Sequence, residues 1–446
     1  MSPGRDGLLE RLLAESRCDA TAGESAEAYE RRGTSIELVE DAEGTRLSVV
    51  AERGFALRLF RSGRTAFAAS PPEAVDRLPF EARLVLGRAR ARRGARAAGP
   101  VALDRASALA PPPPPDEASA RALLASFRSA LLAEGEGAVS LTEAILTVGA
   151  RTERVATTAG RDVAFGSGIA TLVATVTGRT AAGSVSARVL ASASRPEELF
   201  LARLAHQAVD RALLPLRGRP LAPARGDLLL DPNVAAPVVG RLAPAFFGDE
   251  GDALLASRTR DGRDAFASPA LSLVDDASAP GGPVKATHDG EGTPHSRTVL
   301  VSRGIAAGRL SDSAAAIRLQ QPPTGNAMRR AYTDPPAIGV TNFFVDPSRG
   351  VAPLELLRAL ARGFYAAVLL SRPEVDFAAD RFRLHAAGYW VEKGRAAEAV
   401  SETLVEGRLS ELLRAVEAVG DDLKFVPSGS GGAGSPTLFV PKWKGA

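Results

Sequence analysis

The chain has 446 residues, of which 45% are hydrophobic, and a formal net charge of +3. That length exceeds one ordinary hydrophobic core and predicts two domains, whereas no apolar run reaches the ~20 residues that a membrane-spanning helix needs. The single cysteine, Cys18, excludes an internal disulfide framework and a cluster of thiolate metal ligands. Only five of the 55 basic residues are lysine and 52 acidic residues are spread along the chain, which indicates an arginine bias rather than a nucleic-acid binder. Because no long apolar run is present, we expect a cytoplasmic protein.

The first 93 residues predict a helix, a small sheet and a second helix. Leucines alternating with charges predict an amphipathic first helix. β-rich runs in residues 29–70 predict three or four antiparallel strands, with Gly44, Gly54 and Gly63 at or near the corners. Prolines followed by helical apolar spacing predict a helix over residues 71–93.

The rest of the N-terminal half again alternates predicted helices with predicted strands. Five arginines between Arg88 and Arg96 form either a solvated helix end or a patch for an acidic partner or nucleic acid. The prolines at 111–115 predict a stiff connector, after which Asp116 caps a helix that ends near residue 134. Residues 138–194 predict four or five strands, and 196–213 a helix. Residues 1–222 therefore form an α+β domain with an antiparallel sheet and segregated helices.

The C-terminal half, residues 223–446, predicts a β-rich domain with a few helices, built as a barrel-like or curved antiparallel sheet. Its first strand, GDLLLD, is followed by a helix in which Asp231 is the N-cap and Pro232 the first residue. Pro237 and Pro244 predict that this helix is kinked or in pieces. Further predictions are helices over 351–370 and 408–419, a strand pair over 382–395, a flexible loop over 428–435 and a closing strand, TLFV.

The segment HDGEGTPHS, residues 288–296, is the strongest candidate for a metal site by composition. If it is extended, His288 lies on one face and Asp289 and Glu291 lie on the other, with His295 beyond a turn. A metal site then requires this turn to fold His295 back beside His288. The alternative is a structural turn in which glycine supplies the unusual dihedral angles and the carboxylates cap backbone amides.

Four segments in fixed order carry a family resemblance, supported by VGDDLKFV and SPTLFV near the end. They resemble the C-terminal domain of the TldD/TldE (PmbA) family, once labelled modulators of DNA gyrase, and GFALRLFRSGRTAFAAS resembles the family's N-terminal hairpin. The resemblance extends from about residue 29 to residue 440. The four segments are DGEGTPHSR, SRGIAAGRLSD, PTGNAMRRAY and VTNFFV.

The resemblance implies a two-domain protein that pairs into a ring-like TldD–TldE dimer. The pair acts as a metallopeptidase on unfolded or small peptides, including the maturation of modified peptides. In it, the TldD type holds a metal through an HExxH helix and a later cysteine, whereas the TldE type lacks these ligands.

The family's metal helix falls on APVVGR in this sequence. Ala236 and Arg241 occupy the ligand positions and Pro237 the position of the general base, and none of them can bind zinc or accept the proton. The cysteine position falls in the loop 427–436, which has no cysteine. The resemblance therefore implies a TldE/PmbA-like subunit without catalytic or metal-binding residues, and it places the zinc in a TldD-type partner.

Two other hypotheses for the function of the chain remain open. The chain could be an autonomous, homodimeric metallopeptidase with a relocated site at His288, Asp289, Glu291 and His295. It could instead be a non-enzymatic regulator that binds gyrase or nucleic acid through its basic run.

TGN and the arginines after it could offer amides and guanidinium groups to a peptide carboxylate. The predicted groove or interface residues are Asp289, Glu291, Gly292, Thr324, Gly325, Asn326 and Arg329.

Overall fold

Among the residues that the structure describes, the N-terminal part is a six-stranded antiparallel sheet with four α-helices. The computed structural model describes residues 7–18, 24–90, 116–248, 265–429 and 431–445. The strands are β1 (Glu24–Asp41), β2 (Gly44–Arg61), β3 (Arg64–Ser70), β4 (Val139–Thr157), β5 (Asp162–Thr180) and β6 (Gly183–Ala193). The helices are α1 (Leu8–Cys18), α2 (Leu78–Arg88), α3 (Glu117–Gly135) and α4 (Leu201–Leu213). The strand order is β3-β2-β1-β4-β5-β6, so β3 and β6 are the edges.

Two helix pairs cover different parts of this sheet. Helix α3 buries Leu124, Phe127 and Leu131 at helical spacing, and together with α4 it shares a core with β4, β5 and β6. Helices α1 and α2 share a second core with β1, β2 and β3. Asp116 caps α3 as predicted, because its carboxylate accepts the backbone N–H of Ser119 at 2.8 Å.

Several N-terminal predictions require correction. Residues 138–194 form three long strands rather than four or five, because β4 and β5 continue through glycines without turning. Gly44 and Gly63 lie at hairpin corners, but Gly54 lies inside β2, opposite Arg31. A Cβ on Gly54 would lie 2.3 Å from the ring of Tyr332, so this glycine makes room for a C-terminal side chain. The prolines at 111–115 and residues 91–96 of the basic run lie outside the described residues.

The C-terminal part contains two larger sheets around one hydrophobic core. Its helices are α5 (Pro232–Gly240), α6 (Ser313–Leu319), α7 (Pro353–Ala359) and α8 (Leu409–Ala415). Its strands are β7 (Arg219–Pro220), β8 (Gly226–Leu230), β9 (Leu273–Asp275), β10 (Thr298–Ser302), β11 (Ile305–Ala306), β12 (Ala327–Met328), β13 (Ala337–Ile338), β14 (Asn342–Val345), β15 (Arg362–Leu369), β16 (Glu374–Asp376), β17 (Arg381–Glu392), β18 (Arg395–Arg408), β19 (Ala418–Val419), β20 (Lys424–Ser428), β21 (Gly431–Ser435) and β22 (Leu438–Trp443). One large sheet has the order β19-β22-β8-β15-β17-β18-β7, with β16 beside β17, the other has the order β11-β10-β9-β14-β21-β20, and β12 and β13 form a separate pair. The buried face of the short helix α5 packs into the core.

The α+β class with a β-rich C-terminal part is confirmed, but three C-terminal elements differ from prediction. Residues 351–370 form the short helix α7 and then β15, because Phe364 and Ala366 pack into the C-terminal core at alternate positions, with the period of a strand. The helix predicted over 408–419 is shorter, spanning only α8. The glycine-rich segment 428–435 contains β21, whose Gly434 lets the ring of Phe425 and the Cβ of Phe344 pack close to the main chain. Within the described ranges, no helix is long and apolar enough to cross a membrane.

Candidate functional site

Helix α5 is built as its sequence predicts. The Asp231 carboxylate accepts the N–H of Asn233 at 2.8 Å, and Pro232 occupies the first turn, where its missing N–H is harmless. The hydroxyl of Tyr365 donates to the same carboxylate at 2.7 Å, which fixes the start of the helix to β15. The helix ends at Gly240 and a 3-10 turn, Ala243–Phe246, follows, so the expected division into pieces is present.

The positions of the family's metal motif carry no ligand in α5. Ala236 is fully buried in the core, and Pro237 has no group that accepts a proton. Counting HExxH from Ala236 puts the second histidine position at Gly240, so the assignment to Arg241 is wrong by one residue. Gly240 has no side chain, and Arg241 lies just past the end of the helix.

The segment predicted to replace the cysteine loop does lie beside α5. A Cβ on Gly240 would lie 2.8 Å from the Cβ of Ala433 and 2.9 Å from the Oγ of Ser428. The helix thus packs tightly on β20 and β21, and the space of a ligand side chain is filled by protein. Small apolar groups and one hydroxyl do not fit zinc, which prefers imidazole, thiolate or carboxylate. Among the described residues, no group of three or more His, Cys, Asp or Glu side chains could hold a metal.

A cleft of about 1320 Å³ opens beside this helix, between the N-terminal and C-terminal parts. Strand β6 and helix α4 supply the N-terminal wall. The other walls come from Pro237, Gly240 and Arg241 at α5, from the segment after β15 and from the end of β20. The cleft also contacts a second cavity of about 890 Å³, with which it shares Arg241 and Arg372.

The HDGEGTPHS segment lies elsewhere and is not extended, contrary to the first alternative. It folds into a tight turn in which the N–H of Asp289 donates to the carbonyl of Thr293 at 2.9 Å, and the N–H of His295 donates to the carbonyl of Thr287 at 2.9 Å. This turn brings His295 back toward His288. The imidazole of His288 packs on Phe165, and the Nδ1 of His295 is buried without a partner among the described atoms.

The two carboxylates of this turn, Asp289 and Glu291, are buried and accept hydrogen bonds from other residues of the chain. Asp289 accepts the backbone N–H groups of Glu291, Thr293 and Ala327, each at 2.9 Å. Burial and the neighbouring Glu291 raise the pKa of Asp289, against the effect of these three donors. Burial would also raise the pKa of Glu291, but the Arg58 guanidinium and the hydrogen bonds from Ser313 together lower it. The structural turn, with carboxylates capping amides, is the arrangement present.

The TGN segment packs against this turn. Gly325 has a φ of 77°, and a Cβ there would lie 2.4 Å from the carbonyl of Pro294, so only glycine fits. Thr324 accepts the N–H of Ser311 at 2.8 Å. The amide of Asn326 donates to Asp275 at 2.7 Å, and its side chain is buried.

A buried network of charges joins these two segments to the N-terminal sheet. Arg329 donates to Glu27 at 2.7 Å, and Arg58 bridges Glu27 at 2.6 Å and Glu291 at 2.8 Å. The Arg329 guanidinium also lies 4.4 Å from the ring centroid of Tyr29. These side chains come from β1, β2 and two C-terminal loops, so the network fixes the two parts of the chain against each other.

The predicted groove residues are therefore gathered at the contact between the two parts of the chain. Gly292 is buried there too, because a Cβ on it would meet Arg161 at 3.1 Å and Val155 at 3.2 Å. The prediction that these residues touch a peptide remains untested. Sequence reasoning named Arg241 only as a position of the metal motif. It missed the other three arginines of the cleft because they come from distant segments of the sequence: Arg188, Arg211 and Arg372.

Comparison with known proteins agrees with this architecture. Residues 223–445 match the family model described as the PmbA/TldA metallopeptidase C-terminal domain. A metalloprotease of Synechocystis sp. is 33% identical over 171 residues, which is 38% of this chain and 36% of that protein. A metalloprotease of Methanothermobacter thermautotrophicus is 28% identical over 244 residues, 53% of this chain and 51% of that protein. The chain thus spans about a third to a half of the length of these curated relatives.

A solved structure resembles the whole chain. The crystal structure of TldE from Thermococcus kodakarensis superposes with a TM-score of 0.81 and covers 98% of this chain and 99% of that one. The two sequences are 17% identical, so the likeness shows a shared fold.

Proposed function

Because this chain belongs to the TldD/TldE (PmbA) metalloprotease family, we propose that it is a TldE-like, non-catalytic subunit of a heterodimeric metallopeptidase. Its partner is a TldD-type chain that carries the zinc and cleaves unfolded or small peptides, including modified peptides that are being matured. This chain shapes the enclosed space and helps to hold the peptide. It works in the cytoplasm.

The observation that carries this proposal is the composition of α5. A zinc peptidase needs two imidazoles one helical turn apart and a carboxylate that takes a proton from the metal-bound water. Here Ala236, Pro237 and Gly240 occupy those positions, and Ser428 and Ala433 close the space beside the helix. The arrangement supports a helix that packs and does not catalyse.

The cleft beside α5 supports a role in holding peptide. Its volume of about 1320 Å³ exceeds the roughly 300–1,000 Å³ of a small-molecule pocket and leaves room for a peptide segment, and its walls are mainly apolar. Strand β6 borders it and, within the described residues, pairs only with β5, so its outer edge has no strand partner and, apart from the Arg188 carbonyl that accepts from Arg211, can pair with an extended peptide. Main-chain pairing is tolerant of sequence, which suits a subunit that handles varied peptides.

The test combines metal analysis with a peptidase assay. The pure chain, a TldD-type chain from the same organism and the mixture of both are assayed on an unstructured peptide, with and without chelator. We expect no stoichiometric zinc and no cleavage by the pure chain, co-purification of the two chains, and chelator-sensitive cleavage by the mixture. Cleavage by the pure chain that a chelator abolishes would contradict the proposal, as would full activity of the TldD-type chain without this subunit.

A further inference from the structure

The charged side chains that line the cleft beside α5 are all positive. Its described lining contains four arginines and no aspartate or glutamate. The remaining lining is largely aliphatic, with small polar groups such as Ser371 and Ser428. A cleft with one sign of charge and low-dielectric walls concentrates the opposite charge. The four arginines are Arg188, Arg211, Arg241 and Arg372.

Two of these arginines lie close together at the junction of the cleft with its neighbouring cavity. Arg241 and Arg372 both line the cleft and its neighbouring cavity, and the one charged side chain that acts on Arg241 is Arg372, not a carboxylate. Burial lowers the pKa of Arg241, and the positive charge of Arg372 lowers it further. Two neighbouring guanidinium groups form a site that a carboxylate stabilises by charge-assisted hydrogen bonds.

The opposite wall is formed by the edge strand β6. Val185, Ala187 and Leu190 line the cleft, and Arg188 projects from the same strand. Arg211 donates to the carbonyl of Arg188 at 2.9 Å, while its Nε is buried without a partner among the described atoms. This wall therefore offers apolar contacts and positive charge together with a strand edge.

We propose that this cleft binds an extended, acidic peptide segment, with its main chain along β6 and its side-chain carboxylates on Arg241 and Arg372. Charge complementarity selects the occupant, because the described lining of this cleft holds four arginines and no acidic side chain, whereas Glu374, Asp376 and Glu406 line only the neighbouring cavity. The inference deepens the proposed function by naming a substrate class, and it rests on the peptide-holding role proposed for this subunit. Binding itself requires only this chain.

The test measures peptide binding to the full chain alone, by fluorescence anisotropy at low ionic strength. The probe is a labelled peptide that alternates valine and glutamate, and its matched control replaces each glutamate with glutamine. We expect the glutamate peptide to bind at least tenfold more tightly and to lose affinity as salt is raised. We expect Arg241→Gln and Arg372→Gln each to weaken binding about tenfold, which is the loss of one hydrogen bond to a charged group.

The matched control variant is Arg64→Gln, an exposed arginine at the first residue of β3. It leaves the affinity unchanged if the effect is local to the cleft, and the melting temperature of every variant verifies the fold. Equal binding of the glutamate and glutamine peptides, or unchanged affinity in the Arg241→Gln, Arg372→Gln double variant, would overturn the proposal. Because no partner is present, these results are separate from partner-dependent cleavage, which tests the subunit role.

Discussion

Replacing Arg329 with methionine should strongly destabilise the contact between the two parts of the chain. The Arg329 side chain is 1% exposed, and its guanidinium donates to Glu27 at 2.7 Å, to the carbonyl of Gly290 at 2.9 Å and to the carbonyl of Asp334 at 3.3 Å. Methionine fills part of the volume but makes none of these bonds.

The magnitude follows from the charges that remain. The network pairs two arginines, at 58 and 329, with two glutamates, Glu27 and Glu291, so Arg329→Met leaves Arg58 to form the direct ion pairs with both buried carboxylates. Breaking a buried ion pair from one side costs about 3–5 kcal/mol. Urea unfolding followed by circular dichroism measures this cost, with each transition fitted separately because the parts can unfold at different concentrations.

The neighbouring residue supplies the control. Arg330 has an 81% exposed side chain and an ion pair to Asp334 at 3.3 Å, so Arg330→Met should cost less than about 1 kcal/mol. In the double variant of Arg329→Met with Glu27→Gln, the loss should be smaller than the sum of the single losses by about 1–3 kcal/mol. An Arg329→Met loss no larger than that of Arg330→Met would refute the reasoning.

Three further outcomes are expected. Gly54→Ala puts a Cβ 2.3 Å from a tyrosine ring and should lower the free energy of unfolding by about 1–3 kcal/mol, whereas Gly87→Ala, with nothing within 4 Å, should not lower it. Burial lowers the pKa of His295 to about 4, below its ordinary 6.5, so its contribution to stability is present above pH 6.5 and is lost as pH falls toward 4. His295→Asn should remove that part of the pH dependence in urea titrations, and the matched His385→Asn variant should keep it. Gly240→Ala places a Cβ 2.8 Å from β21 and should cost about 1–3 kcal/mol, and an unchanged urea midpoint would mean that α5 lies farther from this strand.

Local chemistry explains which elements were predictable. Asp116 and Asp231 cap their helices because a short carboxylate before a helical run satisfies its first N–H groups, whatever surrounds the helix. Residues 351–370 could not be divided between α7 and β15 from local pattern, since pairing with β8 and β17 decides for the strand. The loop predicted over 428–435 is instead a strand at Gly431–Ser435 for a similar reason, because Gly434 in that strand allows close packing of Phe425.

The sequence by itself determined that α5 carries no metal ligands, because the identity of Ala236 and Pro237 is enough to exclude imidazole and carboxylate. It also indicated the family through ordered motifs. Only the tertiary structure decided that Arg329 pairs with Glu27, a residue 302 positions away, and that four dispersed arginines line one cleft. The chemistry of a side chain is a local property, whereas its burial and its partners depend on which distant segments pack together.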